Sequence, residues 1–93
     1  MGVILTGHVD VPPERRAAVL AALPEHIRLT RAEPGCLRFD VIESPDTPGR
    51  LLVDEAFATP ADFHAHQTRT AGSPWAEVTA GLPRTYDVTG LEP

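Results

Sequence analysis

The segment Leu51–Trp75, LLVDEAFATPADFHAHQTRTAGSPW, contains a strand pattern, a helix start and a second helix start in direct succession. Alternation along its first seven residues places on one strand face Leu51, Val53, Glu55 and Phe57. Three of these side chains are apolar, so this face is expected to be buried. Glu55 in such a row needs a partner or a raised pKa, because an unpaired carboxylate is costly to bury.

The helix that follows has a clear predicted start. Thr59 provides a hydroxyl N-cap, Pro60 suits the first helical position, and Asp62 lies three residues after the cap. Helical spacing from this start places on one face Phe63, His66, Gln67 and Thr70. His64 and His66 point about 200° away from each other on a helix, so they cannot bind one metal ion together.

The end of the segment predicts a turn into another helix. Gly72 fits the left-handed conformation that ends many helices. Ser73-Pro74 then predicts a second helix start, with Trp75 in its first turn. The segment holds the only tryptophan of the chain and two of its four histidines, so most of the wall of any site is expected here.

The residues before this segment predict a strand, a helix and a second strand. Gly2–Val11 alternates, with one face formed by Val3, Leu5, Gly7 and Val9 and the other by Ile4, Thr6, His8 and Asp10. A helix opens at Pro12-Pro13-Glu14 and ends at Glu33-Pro34-Gly35. Its predicted apolar stripe contains Ala17, Leu20, Leu23 or Pro24, and Ile27.

The strand Cys36–Glu43 and the strand Arg50–Phe57 are joined by a turn rich in proline and glycine, so they are expected to pair as an antiparallel hairpin. Leu82–Gly90 predicts the last strand, where Pro83 is tolerated at the start or at an edge. The order is strand, helix, strand, strand, helix, strand. It predicts an α+β, ferredoxin-like βαββαβ fold whose helices cover one face of a four-stranded antiparallel sheet.

The other sheet face is then left open. Because Gly2–Val11 carries apolar residues on both faces, a cover for the open face is expected. The simplest cover is a second copy of the chain, which predicts a homodimer through the open sheet face. A length of 93 residues fits a single domain over residues 1–93.

Composition disfavours several partners and compartments. The net charge is −5 and all eight basic residues are arginines, a balance that does not attract nucleic acid or an anionic membrane. The single cysteine, Cys36, cannot form an internal disulfide or a metal framework. The N-terminal apolar run is too short for a membrane anchor and lacks the basic region of a signal peptide. We therefore expect a cytoplasmic protein.

Three stretches resemble the antibiotic biosynthesis monooxygenase family: EPGCLRFDV at Glu33–Val41, LLVDEAF at Leu51–Phe57, and PADFHAHQTRTAGSPW at Pro60–Trp75. The resemblance extends from the first strand to Tyr86. It implies a dimeric α+β barrel with a cavity between helices and sheet, in a family that includes cofactor-free oxygenases of quinols and anthrones. The asparagine, tryptophan and histidine of its haem-degrading branch are not matched, because His8 and His66 stand at the first two positions. The resemblance thus implies a reaction with O2 that uses no cofactor.

Within this resemblance, His66 is the leading candidate for a catalytic residue. A neutral imidazole can take a proton from a phenol or quinol hydroxyl, and the family resemblance implies that the resulting anion reduces oxygen itself. Alternatively, His66 hydrogen-bonds Glu55 or a carbonyl and only shapes the fold. Glu55 is the second catalytic candidate, as a group that orients His66, or else it is a structural anchor bound to backbone amides or an arginine.

Four more residues are candidates for contacts with a flat aromatic substrate. Trp75 and Phe63 could stack on it, and Tyr86 could contribute a hydroxyl. All three are alternatively part of the core. His8 faces either the cavity or its rim.

The sequence therefore predicts a cofactor-independent monooxygenase that oxidises a quinol- or anthrone-like aromatic with O2. Two alternatives stay open: a non-catalytic ligand-binding or dimerisation module of the same fold, and an isomerase that moves protons on a small carbonyl compound. A fully hydrogen-bonded His66 without an adjoining pocket would favour the module. Arginines at the mouth of a pocket would favour a phosphorylated substrate.

Overall fold

Four strands form the sheet of this chain, which we describe from a computed structural model of residues 2–91. They are β1 (Val3–Asp10), β2 (Cys36–Glu43), β3 (Arg50–Phe57) and β4 (Arg84–Thr89). The predicted bounds of β2 and β3 are confirmed. The predicted single domain over residues 1–93 includes Met1, Glu92 and Pro93, which lie outside the described residues.

The start predicted for the last strand was wrong. Leu82 and Pro83 precede β4, and the Leu82 N–H donates to the Thr79 carbonyl at 3.2 Å, which makes Leu82 part of a turn. Its side chain is nevertheless buried in the core. The apolar Leu82 fitted the alternating pattern of a strand, so the predicted strand began too early. The backbone of Leu82 does not pair in the sheet.

All neighbouring strands are antiparallel, in the order β2-β3-β1-β4. The three helices are α1 (Pro13–Arg31), α2 (Pro60–Ala71) and α3 (Pro74–Thr79). The α+β, ferredoxin-like βαββαβ prediction is confirmed. No helix within residues 2–91 combines the length and the apolar composition needed to cross a membrane.

Alternation gives the sheet a helix-covered face and an open face. Buried side chains on the covered face include Leu5 of β1, Val41 of β2 and Val53 of β3. Ile4 and Ile42 lie on the other face, where 44% and 57% of their surfaces are exposed. The open face therefore presents apolar residues to solvent in the single chain, as the sequence predicted.

The buried face of α1 agrees only in part with the predicted stripe, of which Leu23 is buried and Leu20 and Ile27 pack against the core. Ala17 is exposed, and the buried residues are Val19, Leu23, His26 and Thr30. Burying Val19 removes more apolar surface from water than burying Ala17 would. The helix is therefore rotated so that Val19 and the residues on its side face the core. Thr30 is accepted in the core because its Oγ1 donates to the His26 carbonyl at 2.7 Å.

The ends of α2 show one confirmed cap and one wrong prediction. The Thr59 hydroxyl accepts a hydrogen bond from the Asp62 N–H at 3.1 Å, as the N-cap prediction requires. Gly72, however, has φ −98° and is not left-handed. The physical reason is that the Ser73 N–H and hydroxyl both donate to the Thr70 carbonyl, at 3.0 and 2.6 Å, so the chain passes directly into α3.

Gly7 allows β4 to approach β1, and we expect Gly7→Ala to destabilise the protein by about 2 kcal/mol, the range of an overpacked interior. Gly7 has φ 155°, and a Cβ there would lie 1.9 Å from the Thr85 carbonyl oxygen. Chemical denaturation at matched protein concentrations measures the change. Gly72→Ala is the control, because the nearest atom to its Cβ would be at 3.9 Å. Equal stability of Gly7→Ala and the wild type would contradict this account of the β1–β4 pairing.

Candidate functional site

A cavity of about 410 Å³ lies between the covered sheet face and the helices. All four strands and all three helices contribute to its wall. Five of the candidate side chains line it: His66, Glu55, Phe63, Trp75 and Tyr86. The fold thus brings these residues to one place, and their roles stay predictions.

His8 is the candidate that does not line this cavity. It follows Gly7 in β1, so its side chain lies on the open sheet face, next to Leu52 and Thr85 in the neighbouring strands. Its Nε2 is 4.0 Å from Asp10 Oδ2. A contact of His8 with a substrate stays a prediction, and within a single chain it would not be made in this cavity.

His66 is buried on the inner side of α2, between aromatic rings. Its ring stacks on Phe57 at a centroid distance of 4.9 Å and meets Phe39 edge-on at 5.6 Å. Nδ1 lies 2.8 Å from Glu33 Oε1, while Nε2 lies 3.9 Å from Glu55 Oε1. Burial lowers the pKa of His66, against the opposite effect of Glu33. The imidazole is therefore neutral at neutral pH, with one nitrogen bonded and the other facing Glu55.

Glu33 is the partner of His66 that the sequence analysis missed. Its Oε1 bonds His66, and its Oε2 accepts a hydrogen bond from Arg69 Nε. Arg69 Nη2 also donates to Thr30 Oγ1 at 2.9 Å. In the sequence, Glu33 was recognised only as part of the predicted helix end and of the family motif. A usable signal was Arg69, three residues after His66 on the same helix side, because a cation beside a buried histidine requires an acidic partner.

Glu55 is a buried carboxyl group without the structural partners considered for it. Its Oε1 has no hydrogen-bond partner among the described residues. Burial, followed by the negative charge of Glu33, raises the pKa of Glu55 to about 7. Near neutral pH, Glu55 is thus a carboxylic acid in a large fraction of molecules and can donate a proton or a hydrogen bond.

His26 of α1 is a further cavity residue that the sequence analysis missed. Its ring stacks on Trp75 at 4.7 Å with an interplanar angle of 5°, and burial lowers its pKa to about 4. The predicted stripe had left it out because a histidine interrupts an apolar pattern. Within residues 2–91, His26 Nδ1 and Thr70 Oγ1 are, like Glu55 Oε1, buried without a hydrogen-bond partner. The cavity therefore offers a few polar atoms in a largely apolar wall, as ligand sites do.

Exposure increases from the His66 side of the cavity toward β4. His66 and Glu55 are buried, whereas Tyr86 and Val88 of β4 are 38% and 36% exposed. Arg84 also lines this side, and its guanidinium donates to the carbonyls of Leu82 and Thr79 at 3.2 and 3.1 Å. The mouth of the cavity therefore includes β4 together with the exposed lining residues Gln67 and Ala71 of α2, and its arginine is engaged by backbone oxygens.

The arrangement can move a proton. His66 Nε2 is a neutral base, and the Glu55 carboxyl group beside it is an acid with a pKa near 7. Pairs whose environments push their pKa values in opposite directions are suited to acid–base chemistry. A hydroxyl group that enters the cavity between them could give its proton to His66 and accept a hydrogen bond from Glu55.

Comparisons with known proteins agree with the fold. Residues 2–76 match a family described as antibiotic biosynthesis monooxygenase, a match that ends before Tyr86. The chain is similar to a solved structure from Nitrosomonas europaea, provisionally named an antibiotic biosynthesis monooxygenase, with 27% identity, a TM-score of 0.83, and coverage of 99% of this chain and 92% of that one. It is also similar to Rv0793 from Mycobacterium tuberculosis, with 26% identity, a TM-score of 0.75, and coverage of 100% and 95%. No curated protein matches the chain significantly.

Glu55→Gln is expected to stabilise the protein increasingly as pH rises. Folded Glu55 keeps its proton up to about pH 7, whereas the ordinary value is 4.5. Between these values the unfolded state binds fewer protons, so the wild type loses stability as pH rises, and the variant lacks this titration. Urea denaturation from about pH 4.5 to pH 8 should show a difference that grows by about 3 kcal/mol. A difference independent of pH would contradict the buried neutral carboxyl group.

Proposed function

The chain belongs to the antibiotic biosynthesis monooxygenase family, and on this premise we propose that it is a cofactor-independent oxygenase that oxidises a quinol- or anthrone-like aromatic with O2. His66 is the proposed base. Glu55 is the proposed hydrogen-bond donor to a substrate oxygen.

The observation that carries this proposal is the state of His66 in the cavity. Its Nδ1 is bonded to Glu33, and its Nε2 faces Glu55 at 3.9 Å without a hydrogen bond between them. A cavity of about 410 Å³ adjoins this pair. A fully hydrogen-bonded histidine with no adjoining space would instead have favoured a purely structural role.

The reaction begins with transfer of a proton from the substrate to His66 Nε2. The electron-rich anion so formed transfers an electron to O2, and the two radicals combine into a hydroperoxide on carbon. Its O–O bond then breaks, and water leaves with the second oxygen atom. For an anthrone, the reacting CH2 group and O2 become a C=O group and water, so that the substrate supplies all the electrons.

The aromatic residues of the cavity suit a flat substrate. Trp75 and Phe63 are its proposed walls, and the Tyr86 hydroxyl at the mouth is a proposed polar contact. Desolvation raises the pKa of Tyr86, so it remains a neutral hydrogen-bonding group.

The cavity bears differently on the two alternative functions. Its position beside His66 disfavours a module that only dimerises, whereas a non-catalytic ligand-binding module stays open. The backbone hydrogen bonds of Arg84 use two of the five N–H groups of its guanidinium, so Arg84 remains able to contact a phosphorylated isomerase substrate. The Glu55–His66 pair would also suit proton transfer on an unphosphorylated carbonyl compound, which keeps isomerisation as the second candidate.

The proposal includes a cytoplasmic homodimer that pairs the open sheet faces. Ile4 on the inner strand β1 and Ile42 on the edge strand β2 are both exposed in the single chain. A partner sheet would remove this apolar surface from water.

His66→Ala is expected to lower turnover by about 100-fold or more, because general-base catalysis contributes roughly 10²–10⁴. The measurement is oxygen consumption with chelator present, over a panel of quinols and anthrones, against a buffer blank for autoxidation. His64→Ala is the matched control, since His64 is exposed on the same helix. Full turnover in His66→Ala would place the base elsewhere. No turnover above the blank in the wild type would count against the oxygenase, and isomerisation would be tested next.

Ile4→Glu is expected to weaken the proposed homodimer, because it places a charge among the apolar residues of the open face. Sedimentation velocity over a range of concentrations should show a dimer for the wild type and a shift toward monomer for the variant. Ala17→Glu, an equal charge on the exposed side of α1, should leave the dimer unchanged. A wild type that sediments as a monomer would contradict the proposed assembly.

A further inference from the structure

The turn between α1 and β2 carries Glu33-Pro34-Gly35-Cys36, a motif to which the proposed reaction gives no role. Gly35 has φ 81°, and a Cβ there would lie 2.1 Å from Asp62 Oδ2 at the start of α2. The Gly35 carbonyl also accepts a hydrogen bond from the Ala58 N–H at 2.8 Å. The glycine therefore lets the turn dock against the beginning of α2, which fixes where Glu33 lies beneath that helix.

Both oxygens of Glu33 are used in this position. Oε1 contacts His66 Nδ1 at 2.8 Å, and Oε2 accepts from Arg69 Nε. Arg69 is itself held by Thr30, whose Oγ1 accepts from Nη2 at 2.9 Å and donates to the His26 carbonyl. Only 14% of the Glu33 side chain is exposed. The carboxylate therefore cannot turn away from His66 without leaving a partly buried guanidinium unpaired.

We infer that Glu33 is a positioning residue for His66: its carboxylate binds the proton on Nδ1 and thereby leaves the lone pair of Nε2 directed at Glu55 and the cavity. The inference rests on the proposed function for its catalytic consequence. Its structural content, one tautomer of His66 set by Glu33, is independent of any substrate.

The argument for this tautomer follows from hydrogen-bonding chemistry. A carboxylate paired with a guanidinium is ionised and can only accept, so the neutral imidazole must donate from Nδ1. The groups that face His66 are Glu33 from the turn, Arg69 from α2, His26 from α1 and Glu55 from β3. Glu55 is the only one near Nε2. At 3.9 Å, and with its pKa raised to about 7, it competes weakly for the imidazole proton.

Glu33→Gln gives a sharp test because Arg69 selects the orientation of the new amide. The guanidinium only donates, so it binds the amide oxygen and leaves the NH2 group facing His66 Nδ1. Nδ1 must then accept, and the proton moves to Nε2. We therefore expect the variant to invert the tautomer and to place a proton on the nitrogen that should act as the base.

The first measurement is NMR of protein labelled with ¹⁵N-histidine at pH 7, with the His66 signals assigned from their loss in His66→Ala. The wild type should show a protonated Nδ1 and an unprotonated Nε2, and Glu33→Gln should show the reverse. Glu43→Gln, which removes the exposed Glu43–Arg16 ion pair, should leave the wild-type pattern. A wild type protonated on Nε2, or an unchanged tautomer in a folded Glu33→Gln, would overturn the inference. If Glu33→Gln does not fold, the wild-type tautomer alone decides.

The second measurement is oxygen consumption by the same proteins. Glu33→Gln should lower kcat by about 10- to 100-fold, the usual effect of losing the carboxylate partner of a functional histidine, with little change in KM. In the His66→Ala background the same change should have no further effect, because Glu33 acts through His66. An equal loss in that background would overturn a positioning role. Inactive wild type with the expected tautomers would refute the oxygenase alone.

Discussion

The hydrogen bonds of Glu33 to His66 and Arg69 determine where α2 lies on the sheet. Only two side chains of α2 are buried, Phe63 and His66. Phe63 packs edge-on against Phe57 at 5.9 Å, a contact that is apolar and tolerates small shifts. The bonds to Glu33 fix distance and direction, and removing either partner would leave a buried polar group unpaired. The positions of α3 and Trp75 depend on the position of α2, because α3 comes directly after it.

Burial and neighbouring charges give the titratable groups around α2 different protonation states. Arg69 donates a hydrogen bond to Glu33, whereas Glu55 lies in an apolar row and holds its proton up to about pH 7. The charge of Glu33 contributes to that rise, so the carboxylate that bonds His66 on one side also keeps the carboxyl group on the other side neutral. His26 is buried as a neutral ring. The cavity thus places a neutral imidazole beside a carboxyl group that is protonated in a large fraction of molecules near pH 7, and the ionisable side chains of His26, Arg84 and Tyr86 also line it.

What the sequence predicted well depends on local rules. Alternation defined β2 and β3 to the residue, and the hydroxyl of Thr59 marked the start of α2. The error at Gly72 arose from a competing local contact. Gly72 was expected to be left-handed because glycine often is, but the Ser73 hydrogen bonds made another turn possible. In the site, strand alternation alone was sufficient to predict that Glu55 lies on the inner face of the sheet. The partner of His66 was not predictable in this way, because Glu33 lies 33 residues away and reaches it only through the docking of a turn onto a helix.

The gradient of exposure across the cavity constrains how a substrate can be oriented. The acid–base pair lies at the buried end, and Tyr86 and Val88 lie at the exposed mouth along β4. A flat molecule that enters past β4 must lead with one edge, and the Glu55–His66 pair can bind a hydroxyl group on that edge. The other edge then remains near Tyr86, where solvent and O2 have access. Deprotonation would therefore occur in the driest part of the cavity, where a nearby hydrogen-bond donor stabilises an anion more than it does in water.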